Sequence, residues 1–181
     1  NGISVGPDDV VTTSDNQGNW IPTTPINYIT KPGQFCGFQP CSHQTTTSKE
    51  QPQTLCWIPY SADNSGGGQV WCTSDAWGPF KGQLFHFSYG KCALFYILRE
   101  PLADGGWQGG SIRFPFKFLS GAMRGRFNPV DGQLYLVGMR GWQTDAAKDG
   151  CFQRVRHTGK ASNLPLSAKV TAGQIALTFT D

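Results

Sequence analysis

Two arginines one residue apart, Arg124 and Arg126, stand in the run Ala122-Met-Arg-Gly-Arg-Phe, whose composition reads as a short strand. Residues i and i+2 of a strand share a face, so both guanidiniums address one side while Gly125 takes the other. Arginine carries a planar, permanently charged fork that grips an anion through two hydrogen bonds at once, so the pair suits a fixed anionic ligand. A solvated basic face is the competing account of the same two residues. A second cluster, Asp15-Asn16-Gln17-Gly18-Asn19, offers the hard oxygens that calcium takes, although runs of this composition also make plain turns. Ser65-Gly66-Gly67-Gly68 either brings backbone close to a ligand or forms a mobile loop.

The histidines offer less. His86 lies between Phe85 and Phe87 inside an apolar run and reads as structural; His157 ends a basic strand and reads as solvent-facing. His43, in the Thr-rich loop after Cys41, is the one histidine placed to reach an open site. No Ser/His/Asp or Cys/His arrangement follows from the spacing. The cysteines are Cys36, Cys41, Cys56, Cys72, Cys92 and Cys151, with no Cys-x-x-Cys and no histidine spacing that completes a zinc site or a haem attachment. Disulfides are the favoured use, against small buried thiols. Cys36 and Cys41 are the best local pair, because Gly37 and Pro40 suit a tight loop between them, while Cys56 and Cys72 flank a turn-rich stretch and could face each other on paired strands.

The elements that must position these groups are strands. With 23 Gly and 12 Pro in 181 residues, and β-branched and aromatic residues in short runs, the chain has no stretch of apolar spacing long enough for an amphipathic helix. Strand-like runs cover residues 9–14, 27–30, 54–59, 69–73, 83–88, 93–99, 112–118, 122–127, 133–138 and 151–157, and the tail from residue 161 reads as one hairpin. The expected fold class is all-β. No segment approaches the ~18 consecutive apolar residues of a membrane span. Residues 111–160 hold nine basic side chains against three acidic ones, but these form no run and accompany no nucleic-acid motif, so nucleic acid is not expected as a partner.

Internal echoes narrow the architecture. Gly6-Pro7-Asp8-Asp9-Val10 repeats as Asn128-Pro129-Val130-Asp131-Gly132, and the same offset of 122 residues sets Trp20 on Trp142. Divided by a four-stranded blade of ~40–45 residues, that offset gives about three blades of a propeller. Gly82-Gln-Leu-Phe and Gly132-Gln-Leu-Tyr, 50 residues apart, form a second echo.

Three stretches in order then resemble a known family. They are Asn1-Gly-Ile-Ser-Val-Gly-Pro-Asp running through Ser14-Asp-Asn-Gln-Gly-Asn-Trp to Gly33-Gln-Phe-Cys-Gly-Phe; Asp63-Asn-Ser-Gly-Gly-Gly-Gln-Val-Trp with Trp77-Gly-Pro-Phe-Lys-Gly-Gln-Leu; and Met123-Arg-Gly-Arg-Phe-Asn-Pro-Val-Asp-Gly-Gln-Leu-Tyr-Leu. Together they resemble the C-terminal half of the soluble sugar dehydrogenases, β-propellers that use pyrroloquinoline quinone (PQQ) and calcium, and their relatives in large bacterial multi-domain proteins with cytochrome c modules.

The resemblance implies a partial propeller over residues 1–160, a fragment of a ring of about six blades, with residues 161–181 as closing strands or the start of a following β domain. It implies that arginines at Arg124 and Arg126 reach the anionic quinone, and that the loop at Gln17, Gly18 and Asn19 contacts quinone and, at Gly18 and Asn19, calcium. The family's usual Gly-Pro in that loop is here Gly18-Asn19. The family's general-base histidine and a further cofactor arginine belong to earlier blades and fall outside this chain, which leaves its catalytic base unassigned. The implied protein is a periplasmic or secreted oxidoreductase moving a hydride from a sugar or alcohol to the quinone, partnered by the remainder of its propeller. The rival is a non-catalytic propeller module that binds carbohydrate or protein, for which Trp20, Trp57, Trp71, Trp77, Trp107 and Trp142 would suit sugar stacking.

Overall fold

Turn glycines and short apolar runs produce antiparallel sheets, and the computed structural model describes them over residues 2–16, 23–34, 36 and 54–179. Strands β1 (Gly2–Val5), β2 (Val11–Ser14), β3 (Thr23–Ile29) and β4 (Cys56–Pro59) form the first sheet in chain order. Strands β5 (Gly66–Trp71), β6 (Leu84–Ser88), β7 (Ala93–Pro101) and β8 (Trp107–Arg113) form the second, and β9 (Gly121–Phe127), β10 (Leu134–Met139) and β11 (Gly150–Val155) the third. The first strands β1, β5 and β9 lie side by side, as the inner strands of consecutive propeller blades do. The chain is an all-β partial propeller. Two blades have four strands as expected, and the third has three among the described residues.

The echoes mark equivalent turns. Gly82 and Gly132 adopt positive φ (82° and 68°) just before β6 and β10, the second strands of their blades, and Asp9 (φ 57°) does the same before β2. The offset of 122 residues therefore spans two blade steps, not three, because the first blade carries a long connection between β3 and β4 and the second a 3-10 insert, Asp75–Phe80. That insert is not wasted length: Trp77 and Phe80 drop from it into the core.

The glycine run Ser65–Gly68 is not a mobile loop. Gly66 to Gly68 are buried in β5, where a Cβ on Gly67 would lie 2.3 Å from the Ala122 carbonyl oxygen and one on Gly68 would lie 2.9 Å from that of Met123. Their missing side chains let β5 and β9 approach closely. Ile112–Phe118 is also revised, since the strand ends at Arg113 and Pro115 carries the chain onward with Phe114 and Phe118 still buried. Pro has no N–H to give a ladder.

The middle blade is packed on both faces. Toward the third blade, Phe85, Phe87, Leu94 and Tyr96 join Trp77, Phe80 and Phe114; toward the first, Leu84, Phe95 and Ile97 join Ile26, Ile58 and Trp71. The tail forms the expected hairpin, β12 (Pro165–Thr171) with β13 (Gln174–Phe179). A lone hairpin is marginal in water. Here Leu164, Leu166 and Ala168 pack on the aromatic core, and the Tyr96 hydroxyl donates to the Pro165 carbonyl at 2.6 Å. No described helix is long and apolar enough to cross a membrane.

Candidate functional site

The alternation of β9 sends Gly125 toward Phe87 and leaves Arg124 and Arg126 on the opposite, exposed face. Neither guanidinium meets a carboxylate among the described residues; Arg124 donates to its neighbour Met123 carbonyl at 2.8 Å and Arg126 to that of Gly125 at 2.7 Å. The two cations border a cavity of about 450 Å³, which Ser14, Asp15, Gly68 and Gln69 also line. A second cavity of about 480 Å³ adjoins it and shares Gln69 and Arg126. A Cβ on Gly68 would stand 3.2 Å from Arg124 Cδ, so the glycine clears the passage of that side chain over the inner strand.

Behind the arginines lies a buried polar layer. Gln69, opposite His86 in the β5–β6 register, is 3 % exposed, yet among the described residues neither its amide oxygen nor its amide nitrogen has a partner. The hydroxyl of Ser14, 2 % exposed at the end of β2, is likewise unpartnered. Buried polar groups are almost always hydrogen-bonded, and each unpaired one costs about 1–3 kcal/mol. Two such groups line one cavity beside two arginines that have no carboxylate partner among the described residues, an arrangement whose donors could meet a polar anion.

His86 is buried and structural, as its flanking phenylalanines imply. Its Nε2 lies 2.6 Å from the Asp63 carboxylate, which also accepts from the Ser88 hydroxyl at 2.7 Å and the Ser65 N–H at 3.2 Å. Thr24, on the first blade, donates to the Asp63 carbonyl at 3.1 Å. Burial pushes the Asp63 carboxyl up, but the hydrogen bond and charge of His86, with the Ser88 and Ser65 donors, outweigh it and hold Asp63 below its usual value. The network ties the turn after β4 to β6 and to β3. It is geometry without access: all three side chains are sealed from solvent.

Gln17, Gly18 and Asn19, and with them His43 and Cys41, lie outside the described residues. No group of three or more His, Cys, Asp or Glu side chains among the described residues could hold a metal ion. Asp15, at the start of the loop expected to take calcium, lines the arginine cavity. The Cys36 thiol is free, and Cys41, the other half of the expected Cys36–Cys41 bridge, lies outside the described residues. Burial, with the charge of Asp15, pushes that thiol up. Cys56 and Cys72 do not face each other, because they sit in the cores on opposite sides of the middle blade. His157 is half-buried rather than solvent-facing, its ring edge-on to Phe80 at 5.8 Å. Of the tryptophans weighed for sugar stacking, Trp71 and Trp77 are core residues, whereas Trp142 is 83 % exposed.

The arginines stand out in the sequence, whereas Gln69 and Ser14, which line the same cavity, do not figure among the residues the sequence singles out. A signal existed for Gln69: it is a polar residue two positions before buried Trp71, on the same face of a strand whose remaining members are glycine or apolar.

No family model and no curated protein matches the chain. Among solved structures it is similar to one from Thermus thermophilus described as a candidate oxidoreductase (glucose dehydrogenase), with a TM-score of 0.58 and 16 % identity. The match covers 85 % of this chain and 43 % of that one. The likeness is one of fold. The chain spans less than half the length of that neighbour.

Proposed function

We propose that this chain forms part of an oxidoreductase resembling the quinone-dependent sugar dehydrogenases, and that Arg124 and Arg126 hold the carboxylates of a PQQ cofactor. The observation that carries this reading is the cavity itself: two guanidiniums without carboxylate partners, beside a buried amide and a buried hydroxyl without hydrogen-bond partners, all among the described residues. Those donors fit a ligand that carries several carboxylates and also neutral oxygens. When bound, the quinone would accept the hydride of a sugar or alcohol.

This chain's residues bind and orient. Arg124 and Arg126 are held at fixed spacing by β9, and the glycines of β5 let the inner strands close up so that both forks meet one cavity. The proton of the substrate hydroxyl would go to a base supplied by earlier blades of the parent protein. Calcium is proposed at Gln17, Gly18 and Asn19, outside the described residues; Asp15, two positions before Gln17, lines the cavity. The neighbour's fold, of which this chain matches 43 %, supports association with further blades of the same ring, and the dehydrogenase likeness supports a periplasmic or secreted setting.

The test uses the parent protein with calcium and PQQ. Sugar-dependent dye reduction is expected, together with loss of quinone binding in Arg126→Ala. No quinone binding by the wild type, and no reduction with a broad panel of sugars and alcohols, would transfer the chain to the class of non-catalytic binding propellers.

A further inference from the structure

Gln69 is the most conspicuous polar group left unused when the arginines hold the carboxylates. It comes from the middle blade's inner strand, whereas the arginines come from the third blade and Ser14 from the first, so the cavity joins three blades. Both ends of its amide are buried and, among the described residues, unpartnered, and it lines both adjoining cavities. A packing position would be filled more stably by leucine or methionine, which bring no desolvation cost.

Resting on the reading of the site as a quinone site, we infer that Gln69 is its specificity-determining residue, recognising a neutral carbonyl or ring N–H of the ligand whose carboxylates Arg124 and Arg126 hold. The primary amide suits this because it offers two donors and an acceptor on one planar group. The arginines alone would take any compact polyanion; the amide adds a requirement that a bare polycarboxylate does not meet. Sites built to hydrogen-bond a neutral polar group reject analogues that lack it, since the buried partner is then left unpaired.

The experiment compares the wild-type parent protein with Gln69→Leu and Gln69→Met, using two probes: PQQ, and benzene-1,3,5-tricarboxylate, which has three carboxylates and no quinone oxygens. Isothermal titration gives affinities, and thermal unfolding without ligand gives a readout independent of activity. For the variants, PQQ affinity is expected to fall about tenfold with tricarboxylate affinity unchanged, while the ligand-free melting temperature rises by roughly 2–4 °C. A fall in melting temperature in both variants would make Gln69 a structural residue and overturn the inference. Unchanged PQQ affinity in both, with binding still lost in Arg126→Ala, would overturn it and leave the quinone site standing. Failure of the wild type to bind PQQ at all would remove the site and the inference together.

Discussion

The two faces of the middle blade are made by the same strands and do different work. Along β6, Phe85 and Phe87 point toward the third blade, where Trp77, Phe114 and Phe127 close around Phe85 at centroid distances of 5.2–5.8 Å. Leu84, His86 and Ser88 point toward the first blade, where apolar packing persists at one end and gives way to Asp63, Thr24, Ser14 and Gln69 at the other. Aromatic packing of the first kind is non-directional and tolerant of relaxation. A polar layer has to satisfy every member, so unpaired groups within it indicate either strain or a ligand. Blade contacts far from the cavity are therefore spent on stability, and those beside it on holding polar groups in fixed places.

Breaking each face separately sharpens the contrast. Phe85→Ala should have the largest effect, destabilising by ~3–5 kcal/mol through a cavity in the aromatic core. Urea unfolding measures it, and quinone affinity of the folded fraction should not change. Loss of binding equal to loss of stability would show that the two faces are not separable.

Asp63→Asn comes next, at about 3 kcal/mol, because it removes one member of a sealed pair and leaves His86 without its carboxylate. Its pH dependence has a definite sign. The folded Asp63 value is depressed, so its contribution is complete above the unfolded value near ~3.9 and is lost as pH falls through the lower folded value. Wild-type stability should therefore decline more steeply below about pH 4 than that of the variant, which starts lower and follows a flatter acid profile. Parallel profiles would show that Asp63 is not the depressed carboxyl.

The fold was legible where backbone chemistry is local. Gly82 and Gly132 signal their turns because a left-handed residue must end the bend before each second strand, and the echoed Gly-Gln-Leu records it. The three blades are present, but the 122-residue offset spans two blade steps because inserts such as Asp75–Phe80 lengthen the repeat without altering the strands. Phe114 and Phe118 look like strand residues by burial, and only Pro115 between them hints otherwise. At the site, Arg124 and Arg126 were legible because their spacing and charge act together. Gln69 carried only a weak signal, a polar residue in a strand otherwise of glycine and apolar residues; its meaning lies in what surrounds it after blades distant in sequence have met.

Arg126→Ala should invert the result expected for Phe85→Ala. Its side chain is exposed and, among the described residues, bonded to the adjacent carbonyl alone, so unfolding should shift by no more than ~0.5 kcal/mol. Quinone binding should weaken by ~2–5 kcal/mol, the usual cost of removing a charged partner from a desolvated hydrogen bond. Equal losses in fold and affinity would make Arg126 a scaffold residue and erase the division between the faces.

The smallest effect is a change in thiol reactivity that reports which face opens. Cys56 lies in the core between the first and middle blades, and Cys72 in the core between the middle and third. Burial pushes both thiols up to about 12, so in the native state each is almost wholly protonated at pH 8 and shielded from alkylating agents. Labelling then requires an opening, and its rate follows the free energy of whichever local unfolding exposes that sulfur. Asp63→Asn should accelerate modification of Cys56 more than of Cys72, and Phe85→Ala the reverse, with the modified positions read by peptide mass mapping. Such selectivity requires the two cores to open independently, which blade-wise packing makes natural because the first blade contributes to one core and the third blade, with the tail hairpin, to the other. Equal acceleration of both thiols in both variants would mean that the three blades melt as one unit, and that the polar layer near Gln69 is held by the same cooperative core as the aromatic face.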